Sequence, residues 1–184
     1  MKSVVLIRFS SRVNGNCKAI ADYLQEYHRE DTVQIYTVDA GTMPSCGNCD
    51  YECLAPGKEC QNLTQAQSRI YTAVCDADIT YMIIPNYCGY PCANYFAYNE
   101  RSVGYFNMDR ALMAKYMNAK KRFIIVSNTE GINFENALKQ QSPEPDILYL
   151  KTGKYGKRST AGDLLESDAA KADLTAFLES ANPV

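Results

Sequence analysis

Four cysteines, Cys46, Cys49, Cys53 and Cys60, fall within fifteen residues of one another. Four thiolates that close can hold one Zn²⁺ or one [4Fe-4S] cluster. The same thiols can instead stay free or form a disulfide. Gly47 permits unusual backbone angles, and Pro56-Gly57 turns the chain back toward Cys60. A second group stands near the start of the chain. The apolar run 4–9 ends at Ser10-Ser11-Arg12-Val13-Asn14-Gly15-Asn16-Cys17, and a helical pattern follows with Ile20, Ala21 and Leu24 on one face. A strand that turns through a small polar loop into a helix N-terminus makes an anion site, because free N–H groups and the positive end of the helix dipole converge there. Ser10, Ser11, Arg12 and Asn16 add side-chain donors.

This loop lacks both the three-glycine dinucleotide pattern and the Gly-Lys-Ser/Thr of a triphosphate loop. A single phosphomonoester such as that of FMN suits it better. Two further loops are chemically unusual. Pro85-Asn86-Tyr87-Cys88-Gly89-Tyr90-Pro91 is stiff and offers tyrosine rings for stacking. Asn128-Thr129-Glu130-Gly131 can point backbone donors at the polar edge of a planar ligand.

The elements that must position these loops follow from periodicity. Strands are expected at 4–9, 33–38, 79–84, 123–127 and 147–150. Helices are expected at 16–29, 63–75, 93–100, 109–117, 134–140 and 168–180. Near-continuous apolar strands alternating with helices imply an α/β fold, a five-stranded parallel sheet with helices on both faces. One domain spanning 1–184 is expected, with the cysteine loop 46–60 inserted after the second strand. In open parallel sheets, ligands bind outside the strand carboxyl ends. The loops after Phe9, Ile84 and Ser127 therefore matter most.

Composition bounds the function. Hydrophobic residues make up 46% and charged residues 22%, as in globular proteins generally. The net charge of -2 gives no electrostatic footprint for nucleic acid or anionic lipid. No apolar run reaches the ~18 residues of a membrane span. The chain begins with no apolar signal region, which points to the cytoplasm and to reduced thiols. His28 is the single histidine, placed late in the first helix, so Cys/His hydrolase chemistry loses its support. Cys75 fits a helix face, and Cys88 and Cys92 flank the second loop, as packing residues in the simpler reading. Lys151, Lys154, Lys157 and Arg158 form either a solvated loop over 151–159 or a contact for the 2′-phosphate of NADPH. Tyr87, Tyr90, Tyr95, Phe96, Tyr98, Tyr105 and Phe106 exceed what one flat ligand can cover, which implies a homo-oligomer, a dimer or tetramer.

The motifs Ser10-x-Arg12-x-x-Gly15-Asn16, Pro85-x-Tyr87-x-Gly89 and Thr129-x-Gly131 resemble, in order and spacing, those of the flavodoxin-like NAD(P)H-dependent FMN reductases. The cysteine run is similar to that of their relatives, the iron–sulfur flavoproteins, although its last two gaps are each one residue longer. The resemblance implies a flavodoxin-like fold and an oxidoreductase that passes reducing equivalents from NAD(P)H through FMN to an acceptor. It also implies an FMN phosphate on the first loop (Ser10, Ser11, Arg12, Gly15, Asn16, Cys17). The isoalloxazine ring would lie between the second loop (Pro85, Asn86, Tyr87, Cys88, Gly89) and the third (Asn128, Thr129, Glu130, Gly131). Cys17 stands where the family often has Ser or Thr, so a weak thiol donor replaces a hydroxyl. The alternative is an electron carrier, with flavin and an Fe–S cluster but no nicotinamide activity of its own.

Overall fold

The structure is a computed structural model describing residues 1–47, 49–55, 57–131 and 133–181. Five parallel strands form its sheet: β1 (Ser3–Arg8), β2 (Thr32–Thr37), β3 (Ile79–Tyr87), β5 (Lys121–Ser127) and β6 (Asp146–Lys151), in the order β2-β1-β3-β5-β6. A two-residue strand, β4 (Tyr90–Pro91), returns antiparallel along the end of β3. The helices are α1 (Asn16–Tyr27), α2 (Gln65–Asp76), α3 (Ala93–Phe106), α4 (Arg110–Asn118), α5 (Phe134–Leu138) and α6 (Asp168–Glu179). The expected five-stranded parallel sheet is present. No helix among the described residues is long and apolar enough to cross a membrane.

Alternation along each strand builds two cores. Val5 and Ile7 of β1, Met82 and Ile84 of β3, and Phe123 and Ile125 of β5 face α2, α3, α4 and α5. Their neighbours Val4, Leu6, Tyr81, Ile83, Ile124 and Val126 face α1 and α6. The central strands are buried on both faces, so they read as unbroken apolar runs.

Three segments differ from expectation. Helix α3 continues six residues past 100, to Phe106, where Asn107 takes a left-handed cap at φ 43°. Gly104 makes this possible: a Cβ there would lie 2.7 Å from Cys60 Cβ, so only glycine lets the helix pass the cysteine loop. Most of the aromatic surplus is core rather than interface. Tyr95 and Tyr98 are fully buried, Tyr105 and Phe106 pack against the core, and Tyr87, Tyr90 and Phe96 remain exposed. Finally, the basic segment 151–159 is not a simple solvated loop. It opens as a 3-10 turn over Thr152–Tyr155 and then folds back across the first loop.

Candidate functional site

The carboxyl ends of β1, β3 and β5 enclose a cavity of about 270 Å³. Ser10, Arg12, Gly15, Asn16 and Cys17 line it from the first loop, Pro85, Asn86 and Tyr87 from the second, and Asn128 from the third. Ser159 and Thr160 close it from a segment to which sequence reasoning gave no such role. Ser11, Cys88, Gly89 and Thr129 are outside this lining. Glu130 and Gly131 border a neighbouring cleft with Glu135, Tyr149 and Lys151. A larger but open groove runs beside Tyr23, Tyr27 and Asp31, where Asp31 meets Lys2 at the amino ends of the strands, away from these loops.

Helix α1 begins at Asn16, and Gly15 at its N-cap position supplies no side-chain cap. Lys18 and Ala19 both donate to the Gly15 carbonyl, leaving the Asn16 and Cys17 N–H groups at the positive end of the helix. That donor set suits a phosphomonoester. Arg12 turns its guanidinium to the Thr160 carbonyl. The Asn16 side chain is fully engaged inside the protein: Nδ2 donates to the carbonyls of Arg158 and Ser159, and Oδ1 accepts the Leu164 N–H. Asn16 thus binds the return segment instead of facing the cavity as a free donor. Gly162, at φ +81°, packs so closely that a Cβ would lie 2.2 Å from the Asn14 carbonyl oxygen.

Cys17 is 5% exposed, and burial pushes its thiol up to about 12, with nearby Cys92 adding to the effect. The thiol is protonated at neutral pH. Cys92, also buried, donates its S–H to the Phe9 carbonyl at 3.3 Å. Both are packing thiols, as expected of Cys92.

The second loop is a two-residue hairpin. Tyr87 pairs with Tyr90, and Cys88 and Gly89 between them take φ 54° and 86°. Two successive positive φ values are the type I′ geometry that matches strand twist. Tyr87 is thereby left 60% exposed at the lip of the cavity. In the third loop a Cβ on Gly131 would lie 2.5 Å from the Tyr149 ring, so the backbone passes that ring only as glycine.

The cysteine loop sits against α3. Buried Arg101 donates to the carbonyls of Pro44 and Ser45 at one end of the loop and of Asn62 at the other, and the Glu100 carboxylate accepts the Cys46 N–H. Cys53 is buried. Desolvation raises its thiol, and Cys60, Cys46 and Cys49 raise it further. All four are free thiols. Among the described residues, however, no three Cys, His, Asp or Glu groups are placed to hold a metal. The expected Zn²⁺ or [4Fe-4S] ligand set is thus not shown among the described residues. The turn expected at Pro56 lies outside the described residues; Gly57 takes φ +75°.

Three of the four basic residues in the segment 151–158 have acidic partners: Lys151 with Glu130, Lys154 with Asp173, and Lys157 with Glu166 and Asp163. Arg158 is exposed and has no ion pair among the described residues. His28 caps the end of α1 and bonds Asp31 at 2.9 Å.

By sequence, the chain matches no protein-family model and no curated protein. Its structure is similar to several solved ones. The Trp repressor binding protein from Bacillus subtilis aligns at 12% identity over 95% of this chain and 97% of that one, with a TM-score of 0.63. An azoreductase from Bacillus anthracis aligns at 15% identity over 98% and 97%, with a TM-score of 0.58. The flavoenzyme NAD(P)H:(acceptor) oxidoreductase from Paracoccus denitrificans aligns at 14% identity over 97% and 96%, with a TM-score of 0.54. At such identities the likeness is one of architecture: the chain has the flavodoxin-like fold.

Proposed function

We propose that the chain binds FMN at the carboxyl edge of its sheet and serves as an NAD(P)H-dependent flavin oxidoreductase. One observation carries the reading. The three loops enclose a single cavity with uncapped helix N–H groups at one side and the tyrosine hairpin and Asn128 at the other. The names of two structural neighbours, an azoreductase and an NAD(P)H:(acceptor) oxidoreductase, support it.

In this reading the Asn16 and Cys17 N–H groups and Arg12 receive the phosphate. Tyr87 lies along the ring, and the backbone of 128–131 faces its polar edge. Bound FMN supplies hydride and electron chemistry, while the protein supplies orientation and electrostatics. Donors fixed beforehand at the third loop stabilise the added negative charge of the reduced ring without reorganising. Among the described residues the cysteine loop presents no set of three ligands for a metal. A second copy of the chain would cover Tyr87, Tyr90 and Phe96; light scattering at micromolar concentration tests this, and a monomer refutes it.

The binding test is fluorescence titration with FMN. Arg12→Ala should weaken binding by about 10- to 100-fold, corresponding to the ~1.5–3 kcal/mol of a hydrogen bond to a charged group. Unchanged affinity removes the phosphate assignment. Rapid anaerobic bleaching of bound FMN by NADPH or NADH supports the enzyme; no bleaching indicates the electron carrier.

A further inference from the structure

Asn86 stands where β3 leaves β5 and begins to pair with β4, opposite Pro91. The β3–β5 ladder ends at Pro85 opposite Val126, so Asn86 is the first residue beyond it. Its side chain is 5% exposed and bonds at both ends. Oδ1 accepts the Gly89 N–H at 2.9 Å, across the hairpin tip. Nδ2 donates to Ser127 Oγ at 2.6 Å and Thr129 Oγ1 at 3.1 Å, with the Thr129 carbonyl at 3.4 Å. Ser127 Oγ extends the link, accepting the Thr129 N–H and donating to the Thr129 carbonyl. A second bridge lies farther out, where the Asn133 N–H donates to the Gly89 carbonyl at 3.3 Å.

Both segments joined in this way contain residues that favour mobility. The hairpin has two residues at positive φ, and the third loop runs through Gly131. Without a cross-link each would choose its own conformation. A buried amide that satisfies donors and acceptors on both removes that freedom, because breaking it would strand polar groups out of water.

We propose that Asn86 is the positioning residue of this site. It locks the hairpin 87–90 and the loop 127–131 into one body, so that the backbone N–H groups of Asn128, Glu130 and Gly131 are held for the reduced flavin ring rather than relaxing around the oxidised one. The proposal rests on the flavin reading for its redox half and on the hydrogen bonds alone for the clamp.

The two halves are tested separately on Asn86→Leu and Asn86→Asp. The first variant removes both polar ends at similar volume. The second keeps an acceptor for Gly89 but loses the amide donors toward Ser127 and Thr129. Amide hydrogen exchange of the chain without FMN reads the clamp. In Asn86→Leu, Gly89 and Thr129 should exchange at least tenfold faster while β1 and β5 stay protected. In Asn86→Asp, Thr129 should accelerate and Gly89 should not. Unchanged exchange at both amides in Asn86→Leu overturns the clamp. If Asn86→Leu does not fold, Thr129→Val with Asn86→Asp carries the same comparison.

Titration with oxidised and reduced FMN reads the redox half. The dissociation constant should rise at least tenfold more for the reduced form than for the oxidised form. That tenfold ratio is a fall of about 30 mV in the two-electron midpoint potential. Equal weakening of both forms overturns the redox half. Failure of the unaltered chain to bind FMN overturns the flavin reading itself, while the exchange measurement still decides the clamp.

Discussion

Asn16 and Leu164 stand 148 positions apart in the chain and are joined directly, the Asn16 side-chain oxygen accepting the buried Leu164 N–H at 3.0 Å. The other end of the same amide holds the carbonyls of Arg158 and Ser159. One side chain thus seats the segment after β6 against the first loop. Asn16→Ala should destabilise the protein by about 2–4 kcal/mol, for several lost bonds and a stranded buried N–H. Exposed Arg12→Ala should cost under about 1 kcal/mol. Urea unfolding compares the two, and equal losses would contradict the clamp at Asn16.

Gly131 and Tyr149 make a second testable contact. A Cβ at 131 would meet the ring at 2.5 Å. Gly131→Ala should cost about 1–3 kcal/mol by overpacking. Adding Tyr149→Val should restore most of that loss, because the contact that clashes is then gone. A double-mutant cycle measures it, and strict additivity would show that the clash is not the cause.

Cys17 predicts a pH dependence. Its folded-state thiol is raised from 9.0 to about 12 by burial first and Cys92 second. An acid raised on folding contributes stability that is complete below pH 9 and is lost as pH rises from 9 toward 12, since the unfolded chain releases the proton first. Urea midpoints should fall over this window, and Cys17→Ala should flatten that fall. At pH 8 a thiol reagent should modify exposed Cys88 at once and reach Cys17 and Cys92 only on unfolding. Prompt reaction of Cys17 would sink the assignment.

Arg101 holds both ends of the cysteine loop through three carbonyls, at 2.8 to 3.3 Å. Arg101→Met should release the loop from α3. Limited proteolysis within 45–62 should then accelerate at least tenfold, with the sheet still intact by circular dichroism. Unaltered cleavage would mean that other contacts hold the loop.

Much of the architecture is local and was readable before any coordinates. Apolar runs of strand length alternate with 3.6-period segments, which identifies β1, β3 and β5 as strands of a parallel sheet and places Ser10–Cys17, Pro85–Gly89 and Asn128–Gly131 at their carboxyl ends. The short-range signal of Gly89 in its turn belongs to the same class.

What the sequence could not settle are relations between residues far apart in the chain. Nothing local shows that Asn16 binds the segment 158–164, that Ser159 and Thr160 close the cavity, or that Asn86 reaches Thr129. Nor does spacing decide whether four neighbouring cysteines aim their sulfurs at one point, since Glu100, Arg101 and Gly104 of α3 set that geometry. The aromatic segment 87–106 reads as surface because its composition exceeds one ligand, yet α3 turns Tyr95 and Tyr98 into the core beside Phe9. Periodicity states that a face is buried. Only the packing of one face on another determines which side chains meet, and at this site those meetings set which donors remain free for a ligand.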